Sequence, residues 1–258
     1  MGLVEVEDRG AVRRIVMSRA EKRNALNVEL IDALREAFEA AAADPDVRVV
    51  VLRGDGTMFS SGVDFSGLDL AAQPEMLHPF REGILRVFSL PEEMPKPTVA
   101  EIHGGCVGGA MELALACDLR VMAEDAVAGL VETRVGLLPD VGGCSRLPSM
   151  VGVGIAKELI LTGRLIDGRE AHRIGFANRV VPAEELEAAT ESLCEELLAA
   201  APLAVALAKR VIDAAAKPDL AASLEREVAA QAELVASEDF AEGTRALAER
   251  RQPEFVGR

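Results

Sequence analysis

Apolar positions fall into short runs along the first two thirds of the chain and into helical stripes along the last third. Residues 3–6 and 12–17 read as two short strands, with Asp8-Arg9-Gly10 as the turn between them. Leu30, Ile31, Leu34 and Phe38 recur at helical spacing, which predicts a helix over 28–42 with Asn27 as its N-cap. Residues 47–52, VRVVVL, have the continuous apolar character of a strand buried in a parallel sheet. Residues 69–79 are polar and irregular, with a break at Gln73-Pro74. Phe80, Ile84, Leu85 and Phe88 mark a helix over 80–90. A strand over 98–102 then leads into the turn Gly104-Gly105-Cys106-Val107-Gly108-Gly109, an apolar helix over 110–116 and a strand over 119–123. Helices are expected from 145 to 150 and beyond, over 153–161 and over 169–173, with an extended edge inside 176–181. After Pro182 the pattern turns almost wholly helical, over 186–199, 203–215, 220–235 and 240–249. The order points to an α/β protein with ββα-like units in an α/β core, residues 1–181, and a C-terminal helical region, residues 182–258.

Composition narrows the partners. Tyr and Trp are both absent, so there are few platforms for stacking single-stranded nucleic acid. The formal charge of -15, from 43 acidic and 28 basic residues, disfavours general binding to nucleic acid or to an anionic membrane. It leaves room for a local basic patch that holds an anionic group. Cys106, Cys117, Cys144 and Cys194 are scattered, as are His78, His103 and His172, and no pair has metal-ligand spacing. These features, with no basic-then-apolar leader pattern and no apolar run of about 18 residues, set the expectation of a cytoplasmic protein with reduced cysteines and no metal.

Three acids stand out by their surroundings. Glu112 sits in the first turn of an apolar helix, directly after the glycine cluster. Glycines there permit close approach of another molecule, and a helix start presents unpaired N–H groups. The plainer reading is a tight turn with Glu112 capping its own helix. Glu132 and Asp140 lie in AGLVETRVGLLPDVGGCSRL, residues 128–147, among apolar and turn residues that suit a segment wrapped around a ligand. A solvent-facing loop with ordinary carboxylates is the alternative there. A dinucleotide fingerprint does not fit, because the glycines are out of register with G-x-G-x-x-G and do not follow the first strand.

Two stretches carry a resemblance. TVAEIHGGCVGGAMELALACD, residues 98–118, and GDGTMFSSGVDFSGL, residues 54–68, resemble the two oxyanion-hole segments of the enoyl-CoA hydratase/isomerase family, also called the crotonase family. Phe59, Ser60, Ser61, Gly62, Val63 and Asp64 fall on that family's pattern one by one, with Asp64 as a structural acceptor or cap. TGRLIDGREAHRIGFANRVV, residues 162–181, resembles the closing turn of the family's core, and the resemblance covers residues 12–257. It implies a spiral of ββα units, backbone N–H donors at Val63 and Gly109, and catalytic acids Glu112, Glu132 and Asp140. It also implies an acyl-CoA thioester as substrate, with coenzyme A held by Lys22, Arg23, Ser61 and Phe255 and charge added by Arg250, Arg251 or Arg258. No metal or separate cofactor is implied, and a homotrimer or dimer of trimers is expected.

The activity implied first is reversible hydration of a 2-trans-enoyl-CoA to a 3-hydroxyacyl-CoA, because Glu112 and Glu132 match the hydratase pair. Asp140 departs from that pattern, where hydratases have glycine. Dienoyl-CoA isomerases use acids matching Glu132 and Asp140, but have aspartate where this chain has Glu112. Hydroxyisobutyryl-CoA hydrolases also resemble GLLPDVGG, yet have glycine at the Glu112 position. A noncatalytic acyl-CoA-binding protein on the same scaffold is the reading from outside enzymology.

Overall fold

Nine strands and ten α-helices are found in the computed structural model, which describes residues 2–64, 77–217 and 219–257. In chain order these are β1 (Val4–Arg9), β2 (Val12–Met17), α1 (Val28–Ala43), β3 (Val49–Gly54), α2 (Leu77–Glu93), β4 (Thr98–Ile102), β5 (Gly105–Val107), α3 (Gly109–Ala116), β6 (Leu119–Ala123) and β7 (Val127–Gly129). They continue with α4 (Gly143–Val151), α5 (Val153–Thr162), β8 (Ile166–Asp167), α6 (Gly168–Arg173), β9 (Arg179–Val181), α7 (Leu186–Ala199), α8 (Pro202–Ala216), α9 (Leu220–Val235) and α10 (Glu238–Glu249). The expected break at Gln73-Pro74 and the basic residue Arg258 lie outside the described residues.

The main sheet has the order β1-β2-β3-β4-β6-β9 and is parallel except for the β1–β2 hairpin. β3 is buried nearly throughout, as its VVVL run requires of a strand covered on both faces. β1 is the exposed edge, and its Glu5, Glu7, Asp8 and Arg9 keep that edge charged. Because β1 runs to Arg9, the expected turn at Asp8-Arg9-Gly10 shifts to Gly10 and Ala11, with Gly10 at φ 60°. α1 lays Leu30, Leu34, Phe38 and Ala41 into the core, and the Asn27 side chain accepts from Leu30 N at 3.1 Å.

A second sheet, β5-β7-β8, corrects the reading of residues 104–109 as a plain turn. Its three-residue strands carry no alternation long enough to see in a sequence. Their pairing makes the ββα repeat explicit. β4 enters the main sheet, β5 the small sheet, and α3 follows; β6, β7 and then α4 repeat the pattern. Among the described residues, the connection after β3 contributes two isolated parallel bridges, Ser60 to Cys106 and Val63 to Leu26. Cys106 is wholly buried at that junction, and none of the four cysteines is in a disulfide.

All eight residues of α3 are buried, as befits a helix apolar on every side. Glu112 is its single charge and is 2% exposed. α7 packs Leu186, Leu193 and Cys194 into the main core, whereas α8 has no buried residue. α9 and α10 join a smaller cluster in which Val235 and Phe240 meet Leu137. No described helix is long and apolar enough to cross a membrane.

Candidate active site

The small sheet holds the two glycine-rich segments together. Ser60 N donates to Gly105 O at 3.0 Å and Val107 N to Ser60 O at 3.3 Å, so the first segment runs beside β5. On its other side, Leu26 N donates to Gly62 O at 2.8 Å and Asp64 N to Leu26 O at 3.0 Å. Val63 is thus fixed from before and after. A Cβ added to Gly109 would lie 2.6 Å from Val63 Cγ2, so only glycine lets the start of α3 approach this closely. The same hypothetical Cβ lies 3.5 Å from Val63 N, so the two backbones approach each other closely. Neither amide donates to another described residue. Asp64 has a different task, since its carboxylate takes Arg19 at 2.7 Å and steadies the segment from below.

Val63 and Gly109 both line a cavity of about 250 Å³ whose lining also includes Glu112, Glu132 and Asp140. Phe80 and Ile84 of α2, with Val135, Leu137 and Leu138, give it mostly apolar walls. Glu112 projects from α3 and its Oε1 accepts from Val141 N at 3.0 Å and Gly143 N at 2.8 Å. Burial raises its proton affinity well above that of an ordinary glutamate, and the charges of Glu132, Asp140 and Glu227 add to that, while the Gly143 amide opposes it. Glu132 begins a 3₁₀ turn, Glu132–Val135, and its Oε1 lies 2.9 Å from where a Cβ of Gly108 would sit. Its Oε2 is buried with no hydrogen-bond partner among the described residues. Burial lifts Glu132 to about 7, with Asp140 contributing. Asp140 is likewise lifted to about 7 by burial, although Arg81 at 3.4 Å works against the shift.

Lys22 and Arg23 are exposed on and just after the 3₁₀ turn Ala20–Lys22, and Arg23 O accepts Ser61 N at 3.0 Å. That backbone contact joins the segment carrying both residues to Ser61, which lines the cavity. Phe255 is 43% exposed and does not line it. Its neighbours are tied down instead, with Val256 N and Gly257 N on Asp239 and Glu254 N on Glu242. Arg251 is engaged by Glu242 and Glu249, and Arg250 ends α10 at φ 55°. Among the described residues no cluster of His, Cys, Asp and Glu could hold a metal ion.

Three residues at the site were not legible beforehand. Arg81 of α2 is 5% exposed and its Nε donates to Asp140 O at 2.7 Å. Glu227 and Gln231 of α9 are 4% and 3% exposed, and they accept from Gly142 N at 3.0 Å and Leu138 N at 3.1 Å. One signal could have found the last two. Glu227, Gln231 and Val235 follow at i, i+4 and i+8, so two polar side chains occupy the buried stripe of α9.

The family model described as Enoyl-CoA hydratase/isomerase matches residues 7–258. This chain belongs to the enoyl-CoA hydratase/isomerase family. The human Enoyl-CoA hydratase domain-containing protein 2, mitochondrial, is 40% identical over 252 residues, covering 96% of this chain and 86% of the human protein. Probable enoyl-CoA hydratase 2, mitochondrial, from Arabidopsis thaliana is 37% identical over 245 residues, covering 93% and 80%. The crystal structure of an enoyl-CoA hydratase from Mycobacterium avium subsp. paratuberculosis K-10 superposes with a TM-score of 0.89 at 32% identity, covering 99% of each chain. The fold is therefore that of the crotonase family, and the chain is an enzyme of a family that acts on acyl-CoA thioesters. The expectation of a cytoplasmic protein does not stand, because the human and plant relatives are mitochondrial by name. Absence of a leader pattern and of disulfides was the basis of that expectation, and neither feature separates the cytosol from the mitochondrial matrix.

Proposed function

We propose that this enzyme reversibly hydrates a 2-trans-enoyl-CoA to a 3-hydroxyacyl-CoA. The observation that carries the reading is that Glu112 and Glu132 line one cavity together with Val63 and Gly109. Adding water across an enoyl thioester builds negative charge on the thioester oxygen. Two fixed N–H donors stabilise that charge more than they stabilise the neutral carbonyl. Glu112, anchored at Oε1 by Val141 and Gly143, orients water and accepts its proton. Glu132, with a pKa near 7, delivers a proton to the α carbon. The roles reverse for dehydration. Lys22 and Arg23 suit the phosphates of coenzyme A, which arrives as part of the substrate, and the route calls on no metal or redox group.

Asp140 supports a second reading. Its pKa near 7 matches that of Glu132, and two such acids could move a proton along a dienoyl chain without added water. Turnover by the purified enzyme of enoyl-, dienoyl- and 3-hydroxyisobutyryl-CoA decides between them. Hydration with the highest kcat/KM is the expected result. Dienoyl isomerisation without measurable hydration overturns it, and saturable acyl-CoA binding with no turnover at all points to a noncatalytic binder.

A further inference from the structure

Three consecutive amides link the catalytic cavity to the C-terminal helices. Val141 N and Gly143 N both donate to Glu112 Oε1, at 3.0 and 2.8 Å. Between them, Gly142 N donates to Glu227 Oε2 at 3.0 Å. The loop is gripped by a carboxylate from the core helix α3 on one side and by one from α9 on the other. Gly142 reaches this geometry at φ 114°, and a Cβ there would collide with the Arg146 guanidinium. Glu227 is well held for the task, because its Oε1 accepts from Ser145 Oγ at 2.5 Å and its Oε2 lies 3.8 Å from Arg81. Four residues earlier in the loop, Gln231 takes Leu138 N.

We propose that Glu227 is a positioning residue for Glu112: it fixes the Gly142 peptide so that the two flanking amides stay on the Glu112 carboxylate. The inference rests on the hydratase reading for its kinetic consequence and on the hydrogen-bond geometry alone for its structural one. Two effects of Glu227 on Glu112 have opposite signs. Its charge raises the proton affinity of Glu112, as do those of Glu132 and Asp140. Its hold on the loop preserves amide bonds that stabilise the ionised form and lower that affinity. Around Glu227 itself stand Arg81 of α2, Arg146, Ser145 and Cys144 of α4, and the Asp140 carboxylate. Burial raises the proton affinity of Glu227 and the two arginines oppose this.

Substitution separates the two effects. Glu227→Gln removes the charge but keeps an oxygen that can accept Gly142 N, whereas Glu227→Ala removes both. In Glu227→Ala, kcat for hydration is expected to fall by about 10-fold or more with KM changed by less than about 3-fold, since sub-ångström misplacement of a reacting group costs rate rather than ground-state binding. Glu227→Gln should recover most of that loss. The acidic limb of kcat/KM should lie at higher pH in Glu227→Ala than in Glu227→Gln, because only the alanine variant frees the amides. Coincident limbs, or a glutamine variant as impaired as the alanine variant, overturn the proposal. If Glu227→Ala does not fold, Glu227→Asp replaces it, keeping the charge while withdrawing the acceptor by one methylene. Hydrogen–deuterium exchange of residues 138–146 provides the reading that does not depend on turnover. Faster exchange in Glu227→Ala than in Glu227→Gln is expected even if the wild-type enzyme hydrates no enoyl-CoA, and equal exchange overturns the clamp.

Discussion

Burial lifts Glu132 and Asp140 each to about 7, well above an ordinary carboxylate. Hydration needs the proton on Glu132, so its kcat/KM should decline as pH rises through about 7. Asp140→Asn removes a charge that holds the Glu132 proton, and the alkaline limb should then move to lower pH. A pH–rate profile of wild type and Asp140→Asn checks both statements. Removing the carboxylates is a harsher test. Glu112→Gln and Glu132→Gln should each depress hydration by at least about 10²-fold, the lower range for a positioned proton-transfer group, and Asp140→Asn should cost less. The same burial bears on stability. An acid whose folded pKa exceeds its unfolded one favours the fold below the unfolded value and loses that contribution as pH rises through the folded value. Here the unfolded values are 4.5 for Glu132 and 3.8 for Asp140, and both folded values are about 7. Thermal unfolding should therefore shift to lower temperature between mildly acidic pH and pH above about 7, and Glu132→Gln with Asp140→Asn should flatten that slope.

The elements near the site differ in how plainly the sequence announces them. β4 and β6 fall where expected, at Thr98–Ile102 and Leu119–Ala123, although each carries one buried charge within it, Glu101 and Arg120. α3 begins at Gly109, one residue ahead of expectation. β5, β7 and β8 stayed hidden because two or three residues cannot show a period of two, and their partners are distant in sequence. The three acids were legible as charges in apolar company. Arg81, Glu227 and Gln231 were not, since a polar residue on an exposed helix face looks the same in sequence as one turned inward. The closeness of Gly109 to Val63 is a property of paired elements and yields its own test. Gly109→Ala pushes a methyl group against Val63 Cγ2 while retaining the backbone N–H. The two donors should separate and kcat fall by about 10²-fold, as for loss of one oxyanion donor, with the far-ultraviolet spectrum unchanged. Wild-type kcat in a folded Gly109→Ala enzyme would remove the amide pair from the mechanism.

Viewed as a whole molecule, the chain places its helical tail in two kinds of surroundings. α7 is part of the main core, and α9 and α10 lean on the loop after Glu132 through Val235, Phe240 and Leu137. α8 exposes Leu203, Leu207 and Val211, which follow at i, i+4 and i+8, at 71%, 44% and 65% exposure. An apolar stripe of that kind on an acidic protein suits contact between copies, with charges left at the rim. Light scattering is expected to find three or six copies of the 27.4 kDa chain, and Leu203→Asp with Val211→Asp should lower that mass. A single 27.4 kDa particle across micromolar concentrations would reject the homotrimer and the dimer of trimers alike.

The grip of α9 on the loop around Asp140 also has a consequence for synthesis. Glu227 and Gln231 are made roughly ninety residues after Asp140, which at about 5–20 residues per second is a delay of several seconds to nearly twenty. In the later part of that interval, once Val181 has been made, the nascent chain can already contain both sheets, the Val63 and Gly109 amides and all three acids. The peptide at Gly142 has no carboxylate from the tail to hold it until then. On the role proposed for Glu227, a chain stalled before α9 emerges would carry Glu112, Glu132 and Asp140 and lack the carboxylate that holds the Gly142 peptide.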